Sequence, residues 1–264
     1  MQSNKGKECR EHTKISTYPT KENMSTKLGS PKNIRTKILE EMRSGIFSDC
    51  KRLPRETELS EQFGISRTQM RDILSGLEQE GFVTRRHGVG TVINHHVLQV
   101  KNRMDIETEF MDIIRQNGYE ASISLLEVEE DKADALIAEK LKIQENTPVI
   151  RIRLRCDADG KPAIYCEDVL EKSLVKRDYK EEDFQVIVFQ FLERFCDVEA
   201  YMDLTEIHPI MADNKLAQIL KISEGTPLLN MEELDYDIEG TPIFYSSQYF
   251  VDGYFKHTVL RKKF

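Results

Sequence analysis

Apolar residues recur along this chain with two periods, and the alternation between them outlines its elements. Ile34, Ile38 and Met42 stand four apart within residues 33–45, which predicts a helix with one buried face. A short helix follows over 56–63, Gly64 breaks it, and Ser66 is placed to cap a further helix in which Met70, Ile73, Leu74 and Leu77 keep the helical period. With those four turned inward, Thr68, Arg71, Asp72 and Ser75 share the opposite face. Gly81 stops the helix, and the pattern changes to two short strands, 82–86 and 91–93, joined at the tip His87-Gly88-Val89-Gly90. Helix, turn, helix and hairpin in that order predict a winged helix-turn-helix whose last helix reads a DNA groove, with Arg85, Arg86 and His87 offering donors from the wing.

Residues 94–103 are polar and mixed, and a helix is predicted from about 106 to 116, stopping before Asn117-Gly118. The second half then repeats itself. Leu141-Lys-Ile-Gln-Glu-Asn-Thr-Pro148 and Leu220-Lys-Ile-Ser-Glu-Gly-Thr-Pro227 agree at six of eight positions, each closing a helix and opening a strand. Asp159-Gly160-Lys161-Pro162 and Glu239-Gly240-Thr241-Pro242 make the following turns, so two helix-plus-hairpin halves are expected. Between them, residues 181–195 read as a helix with Phe184, Val188, Phe191 and Phe195 as an apolar stripe, better explained as core than as a ligand cage. In the first of the paired strands Arg151, Arg153 and Arg155 fall at period two and project from one face, either as a binding surface or as a charge ladder served by Glu232 and Glu233.

Charge separates the two halves. Residues 1–100 carry 17 Lys and Arg against 12 Asp and Glu, a net of +5, whereas residues 101–264 carry 21 against 34, a net of −13. A basic front suits phosphate contacts, and an acidic back points to protein or small-molecule partners. Cys9, Cys50, Cys156, Cys166 and Cys196 form no CxxC pair and have no His at metal spacing, so reduced thiols and no metal site are expected. No stretch reaches the roughly 18 apolar residues that a membrane span needs, which leaves a cytoplasmic protein as the expectation. Residues 1–28 are polar enough to predict disorder, an inert tail or a weak electrostatic arm toward DNA, and Met24 offers a second start site.

The stretch KRLPRETELSEQFGISRTQMRDILSGLEQEGFVTRRHGVGTV resembles the DNA-binding domain of the GntR family of bacterial transcriptional regulators. The shared marks are a Leu-Pro start, a Gly-hydrophobic-Ser-Arg-Thr turn, a Leu-Glu-x-Glu-Gly helix end and a His-Gly-x-Gly-Thr wing. The resemblance implies DNA contacts from Arg67, Thr68 and Arg71 on the recognition helix and from Arg86, His87 and Gly88 on the wing, with Ser66 and Gln69 completing the candidate set. After Pro54 the family's Ser-Glu-Arg is replaced by Arg55-Glu56-Thr57, so the family's arginine contact is missing there and Arg55 becomes a candidate for a neighbouring phosphate.

Residues 104–263 resemble the UTRA domain, the effector-binding module of the HutC subfamily, which shares its α+β fold with chorismate lyase. The marks are Arg153-Leu-Arg155 ahead of the Gly160 turn and the closing segment over 245–261. The resemblance implies that arginines of the first paired strand bind a small anionic effector, and the candidate set is Thr108, Arg151, Arg153, Arg155, Tyr165, Glu167 and Tyr245. Sugar-phosphate binders of the subfamily also use two serines; Thr108 or Glu109 stands at the first position and Ile187 at the second, which favours a carboxylate or a partly apolar metabolite.

The expected organisation is a tail over 1–28, a winged helix-turn-helix over 29–94, a linker over 95–103 and an effector-binding and dimerisation domain over 104–264. The expected function is an effector-controlled DNA-binding regulator acting as a repressor, a homodimer on a palindromic operator, with no cofactor and no catalytic residues. The alternatives are a chorismate-lyase-like enzyme with an accessory DNA domain and a ligand-independent DNA-binding protein. Against the enzyme, the C-terminal half offers only His208 and His257, neither beside a nucleophile motif, and His208 precedes Pro209 as a structural residue would.

Overall fold

The computed structural model describes residues 31–263, and the expectations for residues 1–28, Cys9 and Met24 lie outside the described residues. It separates into two units, one formed by the chain up to Ile106 together with Thr258 onward, the other by Glu107–His257. The chain therefore passes between the units twice.

In the first unit, α1 (Pro31–Arg43), α2 (Glu56–Phe63) and α3 (Arg67–Gln79) precede a hairpin of β1 (Val83–Arg86) and β2 (Gly90–Ile93) and a short helix α4 (His95–Leu98). Ser66 starts α3: its hydroxyl accepts from the Gln69 amide at 3.2 Å, and Gln69 Oε1 accepts from the Ser66 amide at 3.1 Å. Gly64, at φ +68°, turns the chain between α2 and α3, where a side chain would strain the backbone. Ile34, Ile38, Met42, Met70, Ile73, Leu74 and Leu77 are all buried in one core, as the periodicity predicts. Each such side chain contributes about 1.5–3 kcal/mol by leaving water.

The expected linker over 95–103 is a correction. Val97 and Leu98 of α4 are buried in the same core, and Asn94 ties the start of α4 down by donating to Gly81 O at 2.7 Å and Thr84 Oγ1 at 3.0 Å. Two apolar residues are too few to show a period in the sequence. Beyond α4, Arg103 donates to Glu80 O at 2.6 Å and lies over the Phe82 ring. The C-terminal segment also returns here: Leu260 packs on the core, and Lys262 Nζ donates to Glu78 O at 2.5 Å and Gln79 O at 2.6 Å. A cation on the last carbonyls of α3 satisfies groups the helix leaves open and opposes the negative end of its dipole.

The second unit begins with α5 (Phe110–Gln116) and contains a six-stranded antiparallel sheet. Its first half is β3 (Ala121–Lys132), α6 (Ala135–Leu141), β4 (Pro148–Ala158) and β5 (Lys161–Glu171). A short helix α7 (Val188–Phe191) intervenes, and the second half is β6 (Met202–Met211), α8 (Asn214–Leu220), β7 (Pro227–Tyr236) and β8 (Pro242–Val251). The strand order β3-β4-β5-β8-β7-β6 places the halves back to back along β5 and β8.

The repeat carries down to single hydrogen bonds. Asp134 and Asp213 cap α6 and α8, each accepting from an amide three residues on at 2.8 Å. Lys142 and Lys221 both end their helices in the left-handed conformation, and Ala133 and Ala212 donate to Thr147 O and Thr226 O at 2.9 and 2.8 Å. Each half also opens with a strand, β3 or β6, that the sequence pattern does not reveal, because both strands are largely solvent-exposed and lack a buried alternating face.

The sheet has two different faces. On one, α6 packs over Val149, Val169 and Tyr245, and α8 over Tyr165 and Leu228. On the other, Phe110, Phe184, Val188 and Phe191 cover Ile150, Ile152, Leu154 and Phe244. The apolar stripe over 184–195 is thus core, with Phe184 and Phe191 stacked at 4.2 Å. The single helix expected over 181–195 is instead a 3-10 turn, α7 and a π turn, with Ile187 extended at the break. Val186, Ile187 and Val188 are successive β-branched residues, poor helix formers that let the chain extend there.

The thiols also depart from expectation. Cys50 is disulfide-bonded. Cys156, Cys166 and Cys196 are buried free thiols, and burial pushes Cys156 up to about 12 and Cys196 up to about 11, which leaves them unreactive.

Candidate nucleic-acid interface and effector site

The reading head presents Arg67, Thr68, Gln69, Arg71 and Asp72 to solvent on α3, and Arg86, His87 and Gly88 at the wing tip. Gly88 and Gly90 bend the tip at φ +73° and +93°, so the backbone itself can come close to a phosphate. Among the described residues Arg67 and Arg86 have no ion-pair partner; Arg71 does, with Nε 3.3 Å from Glu56 Oε2, in an exposed pair that DNA could displace. Ser66 and Gln69 are committed to each other in the cap of α3, so their side chains hold the helix start rather than standing free for bases. Arg55 is exposed at the start of α2 and shares a shallow groove with Glu56, Arg85, Arg86 and His87. Arg85 is not a free wing donor: its Nε meets Glu78 at 2.7 Å and its Nη2 meets Ser75 Oγ at 2.8 Å. Burial would raise Glu78, but the bonds from Arg85 outweigh it and hold the carboxyl below its ordinary range. This clamp also turns Ser75 toward the wing and fixes the hairpin against α3.

In the second unit the predicted arginines do share a face, and each is already paired. Arg151 Nη1 donates to Glu167 at 2.8 Å, and Arg153 donates to Glu167 at 2.7 Å, to Glu129 at 3.1 Å and to Glu127. Arg155 meets Asp157 through two bonds at 2.7 and 3.0 Å. The partners come from the neighbouring strands β3 and β5 and from β4 itself, whereas Glu232 lies 3.6 Å from Lys140 and Glu233 belongs to the opposite face. The pairing is that of a charge ladder, and the choice of Glu232 and Glu233 to serve it is corrected to Glu127, Glu129, Glu167 and Asp157. Burial would raise Glu167, but Arg153 and Arg151 hold it below the usual carboxylate range. Tyr165 donates to Glu167 at 3.3 Å and stacks on Tyr249, and Tyr245 is buried under α6 with Lys140 over its ring. Thr108 is apart from this set, on the segment that leads into α5 and the other face. Glu109 precedes α5 and Ile187 precedes α7, neither making a side-chain cap.

The opposite face holds a second polar group that the sequence did not single out. Asp168 on β5, Asp203 on β6, Glu233 and Asp235 on β7 and Ser246 and Gln248 on β8 share it by strand register. Asp168, Asp235, Ser246 and Gln248 are buried, Asp203 and Glu233 half-buried, and Glu107 exposed beside them. Gln248 Nε2 donates to Glu233 at 2.9 Å. Burial, and then the charges of Glu233 and its neighbours, push Asp235 up to about 10. Burial with Asp203 nearby pushes Glu233 up to about 7, and burial pushes Asp168 up to about 7 although Ser246 acts the other way. Only Glu233 and Asp235, either side of Leu234, hint at this face in the sequence, and pairing of β7 with β8 is needed to give them meaning.

Known proteins match both units. The model for bacterial regulatory proteins of the gntR family matches residues 31–93, and that for the UTRA domain matches residues 116–256. The chain is 26% identical over 217 residues to the HTH-type transcriptional repressor NagR of Bacillus subtilis strain 168, across 80% of this chain and 88% of that protein. It is also 26% identical over 220 residues to a probable fructoselysine utilization operon transcriptional repressor of Escherichia coli K12, across 81% of this chain and 86% of that one. In fold it resembles the crystal structure of the possible transcriptional regulator YydK of Bacillus subtilis, with a TM-score of 0.72 at 18% identity over 88% of this chain and 99% of that one. Described residues contain no helix long and apolar enough to cross a membrane. The chain belongs to the GntR family of DNA-binding transcriptional regulators, in the HutC-like arrangement of a winged helix-turn-helix followed by a UTRA domain.

Proposed function

We propose that this regulator is a repressor, a homodimer that binds an inverted-repeat operator in the cytoplasm and changes its affinity when a small metabolite occupies the second unit. The observation that carries the DNA contacts is the set of exposed side chains Arg67, Thr68, Arg86 and His87, held on α3 and the wing by the Arg85–Glu78 clamp. Arg can bond two acceptors of a guanine edge at once, which gives base preference, while the wing grips phosphates. Relatives named as repressors support the sign of regulation. Dimerisation through the second unit is supported by the edge strand β6, whose Met202, Leu204, Ile207 and Met211 are 52%, 64%, 46% and 61% exposed. Exposed apolar residues on an open strand edge favour pairing with a second copy. Effector and DNA then act on each other's affinity reciprocally.

No observation favours the enzyme reading. His208, expected to be structural, is instead exposed on β6 at 3.7 Å from Glu206, and His257 packs edge-on against Phe250. Selection of bound duplexes from a random library by the full chain tests the proposal, with an inverted repeat as the expected product. Selection of no sequence, or of a single unrepeated site by a sedimenting monomer, would contradict it.

A further inference from the structure

The acidic face of the sheet belongs to the second unit, not to the one that carries the reading head's cations, and no salt bridge to its acids is formed among the described residues. Asp235 and Ser246 are each 1% exposed, and neither Asp235 Oδ2 nor Ser246 Oγ reaches good hydrogen-bond geometry with a partner among the described residues, although Asp235 approaches Glu233 and Ser246 approaches Asp168. Buried polar atoms are nearly always satisfied, so two neighbours left open on one face mark a place where something else binds. The largest influences on Glu107, Asp168, Glu233 and Asp235 are burial, other carboxylates and neutral side chains. Burial grades from Asp168, Asp235 and Ser246, through half-buried Glu233 and Asp203, to exposed Glu107. This is the reverse of the arginine ladder, where every charge is answered from within.

We propose that this acidic cluster receives a protonated amine carried by the effector. The inference rests on the reading of the chain as an effector-controlled regulator and deepens it by naming the chemistry of one end of the ligand. An ammonium group has three donors and no acceptor, and Asp235 Oδ2, Ser246 Oγ and the Glu233 carboxylate can each accept from it once the acids have given up their protons. Gln248 holds Glu233 in place from the side, leaving the rest of that carboxylate for the ligand. A metal ion fits less well. Among the described residues the group of three carboxylate or His side chains with ligand atoms within 4.8 Å of one another is Glu206, His208 and Glu232, which lies on the ladder's face. Carboxylates spread over β5, β6, β7 and the segment before α5 suit a larger organic cation. The cluster's acids hold protons when empty, since like charges and burial disfavour ionisation, and an arriving ammonium would release them.

The test uses the full chain and butylammonium as probe, with butanol and butyrate as its neutral and anionic counterparts, followed by saturation-transfer NMR and by calorimetry in two buffers of different ionisation enthalpy. Butylammonium is expected to bind with proton release, butanol and butyrate to bind at least tenfold more weakly, and Asp235→Asn to weaken the ammonium at least tenfold. Glu233→Gln serves as the second near-isosteric variant if Asp235→Asn does not fold. Equal binding of butanol or butyrate, ammonium binding that neither variant weakens, or displacement of the ammonium by Mg²⁺ or Zn²⁺ at lower concentration would overturn the proposal. A gel shift on the same samples separates the two readings. Failure to retard any selected duplex defeats the regulator reading, and retardation without amine binding defeats the amine site alone.

Discussion

The two units treat charge in opposite ways. In the reading head the cations on the outer face of α3 and at the wing tip stand exposed, and Arg67 and Arg86 are unpaired among the described residues. In the second unit Arg151, Arg153 and Arg155 are each answered by carboxylates, and the ionisable groups influenced mainly by burial and by one another are acids on the far face of the sheet. The sign of unanswered charge, rather than the net charge of a region or a run of like residues, indicates what a surface awaits. Three arginines at period two look like an anion site in a sequence, and cross-strand neighbours turn them into a ladder.

The largest effect is expected where the ladder is broken. Arg153→Ala leaves Glu127, Glu129 and Glu167 facing one another, and a loss of about 2–4 kcal/mol is expected, less than for a fully buried pair because the carboxylates are partly exposed. Urea unfolding of the full chain measures it. Unchanged stability together with loss of effector response would return these arginines to an anion site. Next comes Arg67→Ala, expected to cost about 1–3 kcal/mol of operator binding and to relax base preference, with stability unchanged because the side chain is exposed.

A smaller effect, of opposite sign, is expected at Asp235. Its folded pKa lies above the unfolded value near 4, so the proton it keeps stabilises the fold in acid and that contribution is lost as pH rises towards 10. Glu233 and Asp168 act likewise through about 7. The melting temperature should therefore fall from pH 5 to pH 9, and Asp235→Asn should flatten the decline and add about 1 kcal/mol at pH 8. A melting temperature that rises over this range would mean the acids are ionised and paired. The smallest effect concerns the wing: with Gly88 at φ +73°, a β-branched replacement would strain the backbone as well as block DNA, so Gly88→Asn is the cleaner probe. It should weaken DNA binding measurably in anisotropy while costing well under ~1 kcal/mol of stability.

Much of the head was legible because its signals are local. The Ser66 cap, the four inward residues of α3 and the wing glycines each announce themselves within a few positions. Leu260 and Lys262, which brace the end of α3, lie some 180 residues away and carry no local mark of it. In the second unit the repeated Leu-Lys-Ile segment exposed both helix-plus-hairpin halves, yet the pairing of β4 with β3 decided the fate of the arginines, and β3 itself left no alternating pattern to read. The acidic face was illegible for the same reason: Asp168, Asp203, Glu233, Asp235 and Ser246 come from four strands and meet only through register.

The most direct test of the central claim, that the exposed cations of the head read DNA, is selection of duplexes from a random pool by the full chain, run in parallel with Arg67→Ala. An inverted repeat recovered by the wild type, with the conserved half-site positions blurred or lost in the variant, is the result expected. Recovery of the same repeat with equal sharpness by both proteins would contradict the account.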